Sequence, residues 1–240
     1  MPMVGVPKTI DNDVHCTEYS VGFATAINVV TEALDRLQPT AASHHRVMIL
    51  EVMGRDTGHI ALNGGIAGGA DIILVPELPY SIAGVARIIN QLLEQGRTHA
   101  LVTVAEGVKT EEGLKATVPD STDKCYGGIG HYLMEKLAAL TSVETRVTIL
   151  GHVQRGGTPS PRDRLLASSF GVHAVQMVAQ GRFFRMVAWH DRGVIDVPLS
   201  EVTTGARALD PDDALIRTAL GLGIHLGEQR AKARAGSSSP

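Results

Sequence analysis

The run Arg46-Val47-Met48-Ile49-Leu50-Glu51-Val52-Met53, which Gly54 closes, decides the fold class. Its nearly continuous apolar character is typical of a strand covered on both faces, as in a parallel sheet. Outward from it, similar apolar runs predict strands at residues 71–75, 100–105 and 146–150. Helical periodicity fills the intervals between these strands, so the sequence predicts an α/β protein with mostly parallel sheets flanked by helices.

The remaining elements follow from the same patterns. The predicted helices span residues 18–37, 58–68, 82–95, 129–140, 163–179 and 212–222. A buried strand is predicted at residues 3–6, short strands at 185–189 and 194–197, and an exposed loop at 108–126.

Composition narrows the function classes. The chain has 240 residues, of which 44% are hydrophobic and 20% charged, the balance of an ordinary globular protein. A net charge of −3 argues against a nucleic-acid or anionic-membrane partner, and no apolar run reaches the roughly 20 residues of a membrane span. Cys16 and Cys125 lie far apart and form no CxxC pair, which indicates a reducing, cytoplasmic setting.

Polar residues follow the predicted strands at their carboxyl ends, where α/β folds gather functional side chains. They are Asp11, Arg55, Glu77, Glu106 and His152. This placement predicts one site at one edge of the sheets.

Two carboxylates lie close together in the loop after the first strand. Asp11 or Asp13 could serve as a general base while the other shapes the local field. Asp13 could instead form an Asx-turn or cap the next helix. Glu106 could accept hydrogen bonds from sugar hydroxyls, or could simply face solvent.

Four arginines near strand termini suggest a phosphate site, because an anion needs several converging forked donors. They are Arg46, Arg55, Arg146 and Arg155, and each of them could alternatively form a surface salt bridge. Neither a P-loop nor a GxGxxG turn occurs. The glycine pairs at 64–65 and 68–69 fall on a predicted helix and indicate close helix packing.

Several separate motifs resemble those of the phosphofructokinases. They are Pro-Lys-Thr-Ile-Asp-Asn-Asp at 7–13, Ser-His-His-Arg-Val at 43–47, Glu-Val-Met-Gly-Arg at 51–55, Ala-Glu-Gly at 105–107, Gly-His-Val-Gln-Arg-Gly-Gly-Thr-Pro at 151–159, and Asp163-Arg164 with Leu166-Ala167-Ser168. The resemblance covers roughly residues 4–200.

The resemblance implies a 6-phosphofructokinase that phosphorylates the C1 hydroxyl of fructose 6-phosphate in glycolysis. Asp11 would be the proton acceptor, and Thr9, Asp13 and Arg55 would assist the transfer. The substrate-binding residues that it implies are Thr9, Ile10, Asp11, Arg46, Met53, Gly54, Arg55, Glu106, Arg146, His152, Val153, Gln154 and Arg155.

The resemblance also implies partners and a cofactor. Mg²⁺ would accompany the phosphoryl donor, with its ligands expected mainly in the segment that the family carries before this loop and none in this chain. Asp13 would help to orient the magnesium–phosphate end. Arg46 and Arg146 would reach the site of a neighbouring subunit, so a homo-oligomer (dimer or tetramer) is expected.

Two departures from the family pattern affect the expectations. The family carries a glycine-rich donor-binding segment before this loop, so the chain is expected to be a fragment with an incomplete donor-binding domain and to be inactive alone. Lys8 stands where bacterial ATP enzymes have Gly, which leaves the donor open between ATP and pyrophosphate. A non-catalytic sugar-phosphate-binding or regulatory subunit remains the alternative.

The predicted organisation has four parts. Residues 1–20 would be a remnant of the donor domain with the catalytic loop, and 21–145 the sugar-phosphate domain. Residues 146–228 would return to the donor domain, and 229–240 would form a disordered tail.

Overall fold

The computed structural model describes residues 1–116 and 128–228. The predicted tail at 229–240, Cys125 and the second half of the predicted 108–126 loop lie outside the described residues. No helix in the described part of the chain is long and apolar enough to cross a membrane.

Strands and helices alternate along most of the described chain. The strands are β1 (Val4–Gly5), β2 (Lys8–Thr9), β3 (Val21–Gly22), β4 (Val47–Val52), β5 (Ile72–Leu74), β6 (Ala100–Ala105), β7 (Thr145–Ile149), β8 (Arg185–His190) and β9 (Gly193–Pro198). The helices are α1 (Phe23–His44), α2 (His59–Ala67), α3 (Ile82–Glu94), α4 (Ile129–Ala138), α5 (Pro161–Ala179), α6 (Leu199–Val202) and α7 (Ala214–Gly221), with a 3-10 helix at Gly151–Arg155.

The central sheet confirms the α/β prediction. Its strand order is β5-β6-β4-β7, and every neighbouring pair is parallel. All residues of β4, β5 and β6 are buried, because helices cover both faces of the sheet. The carboxyl ends of β4, β6 and β7 therefore meet at one edge, where the loops that follow them come together.

A second sheet has the order β1-β8-β9, in which β8 and β9 form an antiparallel hairpin. Its turn residues Asp191 and Arg192 both have positive φ, as the tight turns of two-residue hairpins require. Helix α5 packs on this sheet through a smaller apolar cluster that contains Leu166, Phe170 and Val187.

A pair of two-residue strands connects the two larger sheets. Strand β2 pairs in parallel with β3, with Lys8 opposite Val21 and Thr9 opposite Gly22. The loop that carries Asp11 begins directly after β2, and α1 begins directly after β3. This pairing fixes the Asp11 loop against the start of α1.

Two sequence predictions were wrong in their boundaries. Helix α1 begins at Phe23 and not at residue 18, because residues 21–22 are taken up by strand pairing, and it continues past the exposed Pro39 to His44. The predicted buried strand at 3–6 is only the half-buried pair Val4–Gly5. Val6 remains 46% exposed, since β1 is an edge strand.

The glycine pairs of α2 have the packing role that the sequence indicates. A Cβ on Gly64 would lie 2.5 Å from Cγ1 of Val30, and one on Gly68 would lie 2.3 Å from Cδ1 of Leu34. Both neighbours are on α1 and fully buried. Close approach of the α1 and α2 axes therefore requires residues without side chains here.

The C-terminal residues of the described chain pack against the main core. Leu209, Ile216, Ile224 and Leu226 belong to the same apolar cluster as the central sheet. The backbone of His225 also bonds to Asp71 and Ile73 beside β5. The division of the chain at residues 20, 145 and 228 stays a prediction.

Candidate active site

A cleft of about 410 Å³ lies between the loop that follows β2 and the turn that follows β7. From the first loop it is lined by Lys8, Thr9, Ile10 and Asp11, and from the second by Gln154, Arg155, Gly156, Gly157 and Pro159. Gly22, Thr25 and Asp163 close it at the junction of α1 and α5. The cleft thus brings the predicted base and the predicted phosphate ligand together, although 144 residues separate them in sequence.

The Asp11 loop is held by its own side chains. The backbone N–H of Asp11 donates to Oγ1 of Thr9 at 3.2 Å. The next residue, Asn12, is buried and has a φ of 55°, a left-handed conformation that Asn tolerates better than most residues. Its Oδ1 accepts from the backbone N–H of Ser20 at 2.8 Å. The loop is therefore preorganised without any ligand.

The loops after β4 and β6 are joined by backbone hydrogen bonds. Glu106 N–H donates to the carbonyl of Val52 at 2.8 Å, and Gly107 N–H donates to that of Gly54 at 3.0 Å. A Cβ on Gly107 would lie 2.2 Å from the carbonyl oxygen of Arg55, so only glycine allows this approach.

The turn after β7 is attached to the same edge. Oε1 of Gln154 accepts from the backbone N–H of Met53 at 2.8 Å, and the Gln154 side chain is buried. This contact fixes the turn while the neighbouring His152, Val153 and Arg155 remain exposed. Of these three, Arg155 lines the cleft, whereas His152 and Val153 are exposed on the same turn but do not line it.

Burial and charge alter the carboxylates of the site. Burial raises the pKa of Asp11 above its ordinary value, the negative charges of Asp13 and Asp56 raise it further, and the positive charge of Arg155 opposes the rise. Burial likewise raises the pKa of Glu106, while a hydrogen bond from the Gly54 backbone lowers it. A carboxylate with a raised pKa is a better proton acceptor than an exposed one.

These facts exclude two of the alternative roles that the sequence left open, a solvent-facing Glu106 and a helix-capping Asp13. Glu106 is half-buried and electrostatically coupled to Asp11, so it does not simply face solvent. Asp13 does not cap α1, because the residue before that helix is Gly22.

The four arginines do not form a single cluster within one chain, and the expectation that Arg46 and Arg146 reach the site of a neighbouring subunit stays a prediction. Arg155 lines the cleft and Arg55 follows β4 at the same edge. Arg46 precedes β4, at the opposite edge of the sheet. There its Nε donates to Oε2 of Glu144 at 2.5 Å, and Arg146 forms an ion pair with the same carboxylate. Residues at opposite ends of parallel strands cannot meet in one site of one chain.

The carboxylate of Asp163 joins the walls of the cleft, a role that its sequence context does not predict. The buried Asp163 accepts from the backbone N–H of Gly22 at 2.9 Å and from that of Thr25 at 2.7 Å. Ser160, which caps α5, donates its backbone N–H to Oγ1 of Thr25. The Ser160-x-x-Asp163 spacing signals a helix start. It gives no sign that the carboxylate reaches a second helix.

Glu77 is a structural residue in spite of its position after β5. Its carboxylate accepts from the backbone N–H groups of Gly58 and Leu209, at 3.0 and 3.1 Å. No three His, Cys, Asp or Glu side chains are grouped to hold a metal ion in residues 1–116 and 128–228.

Comparison with known proteins identifies the family. A sequence profile described as Phosphofructokinase matches residues 1–178. The chain belongs to the phosphofructokinase family. The matched range contains every predicted site residue, including the Asp11 loop and the turn after β7.

Among curated phosphofructokinases, the chain is similar to ATP-dependent 6-phosphofructokinase 1 of Nostoc sp., with 54% identity over 94% of this chain and 63% of the relative. It is 57% identical to the enzyme of the same name from Synechocystis sp., over the same shares. The chain therefore spans about 63% of the length of these relatives.

Solved phosphofructokinase structures share the fold. The pyrophosphate-dependent enzyme of Marinobacter aquaeolei gives a TM-score of 0.76 at 23% identity, over 95% of this chain and 61% of that one. Phosphofructokinase of Saccharomyces cerevisiae gives 0.71 at 33% identity, over 83% of this chain and 26% of that one.

Proposed function

We propose that this chain supplies the acceptor half of an ATP-dependent 6-phosphofructokinase, which transfers a phosphoryl group to the C1 hydroxyl of fructose 6-phosphate. The observation that carries the proposal is the single cleft in which Asp11, with its raised pKa, faces Arg155. Similarity to two ATP-dependent relatives at 54% and 57% identity favours ATP over pyrophosphate.

Asp11 would accept the proton of the attacking hydroxyl, because it combines burial with access to the cleft. Thr9 would lie beside the transferred group and Arg55 would stabilise its charge. Arg155 and His152 would bind the 6-phosphate, and the half-buried Glu106 would bind sugar hydroxyls. Phosphoryl transfer needs mainly alignment, a base and positive charge, which this set of residues provides.

A Mg²⁺ ion bound with the phosphoryl donor would supply positive charge against the donor phosphates. Such an ion keeps several waters and commonly takes only one or two protein carboxylates. Asp13, which follows Asp11 by two residues in the same loop, would help to orient the magnesium–phosphate end of the donor. Lys8, exposed at the rim of the cleft, would contact the donor phosphates.

The direct test offers ATP and pyrophosphate separately to the longest polypeptide that contains these 240 residues. Formation of fructose 1,6-bisphosphate is followed by a coupled assay. Turnover with ATP supports the proposal, and turnover with pyrophosphate alone reverses the donor assignment. Tight binding of fructose 6-phosphate without turnover would favour a non-catalytic sugar-phosphate-binding subunit.

Arg155→Ala should weaken fructose 6-phosphate binding about 10- to 100-fold, because a charge-assisted bond to phosphate contributes about 1.5–3 kcal/mol. Titration calorimetry measures the dissociation constant. Arg36→Ala is the matched control, since Arg36 is an exposed arginine that pairs with Glu32 on α1. Equal loss of affinity in both variants would show a general effect of charge and exclude a direct phosphate contact.

Arg46 and Arg146 are proposed to complete the phosphate site of a neighbouring subunit. Glu144 orients both arginines, and all three side chains are partly exposed. A homo-oligomer could present this edge to the cleft of a second copy.

A subunit-mixing experiment tests this arrangement. Arg146→Ala and Arg155→Ala variants should each bind fructose 6-phosphate weakly alone. A random 1:1 mixed oligomer should regain full affinity at about a quarter of its sites, where an intact Arg155 meets an intact Arg146 from its neighbour. If mixing restores none of the tight sites, both arginines act within one chain or Arg146 has no part in binding.

A further inference from the structure

The segment between α6 and α7 lies against the Asp11 loop. The backbone N–H of Arg207 donates to the carbonyl of Asp13 at 2.7 Å. Its guanidinium donates through Nη2 and Nε to the carbonyl of Asn12, at 3.0 and 3.3 Å. Ala206 forms an antiparallel bridge with Val14. Three consecutive residues of the loop are thus contacted by one short segment.

Asn12 is the residue at which this contact matters most. It has a positive φ, and its side chain is already engaged with Ser20 and with the carbonyl of Glu18. The Asn12 backbone carbonyl, which these bonds do not use, receives the forked guanidinium of Arg207. The Asn12 carbonyl belongs to the peptide that joins Asn12 to Asp13, so the guanidinium restricts rotation of the backbone on one side of Asn12 while the side-chain bonds hold the residue itself. Asn12 directly follows Asp11, so these contacts limit how far the Asp11 backbone can move.

Arg207 is itself bound to helix α2, which packs on the central sheet. Its carbonyl accepts from Nε2 of His59, the first residue of α2, at 2.8 Å. Burial lowers the pKa of His59, so the imidazole is neutral near pH 7 with its proton on Nε2 for this bond. Two residues later, Leu209 donates its N–H to Glu77, which also holds Gly58.

We infer that Arg207 is a positioning residue for the catalytic loop: it transmits the position of α2 to the Asn12 peptide and thereby aims Asp11 at the acceptor hydroxyl. This inference rests on the proposed function of Asp11. Arg207 does not line the cleft, so it acts through the loop and not by contact with substrate. A guanidinium suits this contact better than an ammonium, because its rigid planar fork presents Nε–H and Nη2–H together to one carbonyl.

The test compares Arg207→Ala, Arg207→Lys and the control Arg217→Ala. Arg217 is exposed on neighbouring α7 and donates to the carbonyl of Asp212. Arg207→Ala should lower kcat about 10- to 100-fold, as misplacement of a catalytic group does, with KM for fructose 6-phosphate changed less than about threefold. Arg207→Lys should retain an intermediate kcat, and added guanidinium at low concentration should partly restore the alanine variant.

Amide hydrogen exchange on the ligand-free chain separates this inference from the proposed function. Exchange at residues 11–14 and Ser20 should accelerate about tenfold or more in Arg207→Ala but not in Arg217→Ala. If exchange is faster in Arg207→Ala but the unmodified chain neither binds nor phosphorylates fructose 6-phosphate, the contact between Arg207 and the loop is supported and the role of Asp11 is rejected. Unchanged exchange in Arg207→Ala, or equal losses in kcat for the Arg207 and Arg217 variants, would overturn the inference. If Arg207→Ala does not fold, kcat and amide exchange measured on Arg207→Lys decide whether Arg207 positions the loop.

Discussion

Asp11→Asn should lower turnover with fructose 6-phosphate about 10²- to 10⁴-fold, which is the usual contribution of a general base. Asn has the size of Asp but cannot accept the hydroxyl proton. The contacts to the 6-phosphate from Arg155 and the turn after β7 are unchanged, so the dissociation constant of the sugar phosphate should stay within about threefold. Turnover by coupled assay and binding by calorimetry measure the two quantities on the same preparations.

The pH profile gives this prediction a second readout. The active form of Asp11 is the carboxylate, and burial raises its pKa above the ordinary value of 3.8. The rate should therefore fall as pH decreases through a pKa above 3.8, and the residual rate of Asp11→Asn should lack this acid limb. Asp11→Asn with near-normal turnover, or with an unchanged acid limb, would contradict the role of Asp11 as base.

Asp11→Asn should stabilise the folded chain near neutral pH although it lowers turnover. A carboxylate whose pKa is raised by folding favours the folded state below its unfolded pKa, and this contribution is lost as pH rises through the folded pKa. Asp11→Asn should thus melt at a higher temperature than the wild type near neutral pH. The gain should disappear below the ordinary aspartate pKa of 3.8. Melting curves at both pH values measure it.

Asp163→Ala should destabilise the fold by about 3–5 kcal/mol, because each buried donor left without a partner costs about 1–3 kcal/mol. The backbone N–H groups of Gly22 and Thr25 would both lose their acceptor. Asp163 is 3% exposed, so water cannot readily replace the carboxylate. The loss of negative charge beside the amino end of α1 adds to the effect.

Urea unfolding followed by circular dichroism measures this free-energy change. Asp35→Ala is the matched control, since Asp35 is an exposed aspartate on α1 and should change stability by no more than about 0.5 kcal/mol. Asp163→Asn, which keeps one acceptor oxygen, should fall between the two. An alanine variant within about 1 kcal/mol of the wild type would show that the Asp163 bonds do not hold α1 and α5 together.

The fold class could be predicted from the sequence because the apolar runs at 46–53, 71–75 and 100–105 are unbroken. Runs of that kind are stable only where helices cover both faces of a parallel sheet. Boundaries were harder to predict, as α1 shows. The residues before Phe23 have helical periodicity, but strand pairing with β2 and the bonds of Ser20 to Asn12 outweigh that local preference.

Part of the candidate site could also be predicted from the sequence, because it follows from the parallel sheet. The carboxyl ends of parallel strands meet at one edge, so Glu106, Arg55 and the turn after β7 could be grouped from their order in the chain. Arg46 and Arg146 lie at the amino ends of β4 and β7, at the opposite edge of the sheet. Strand order within one chain cannot show whether they reach the site of a second copy, because that depends on how two subunits pack.

The sequence of this chain contains, in local patterns, its parallel sheet, its glycine-mediated helix packing, and the motifs that place it among the phosphofructokinases. Only the tertiary structure revealed that Asp163 joins α1 to α5 and that Arg207 and His59 brace the Asp11 loop. Those contacts connect residues more than 130 positions apart in the chain. No periodicity or spacing encodes them, because the folded arrangement of distant elements alone decides which buried donors and acceptors meet.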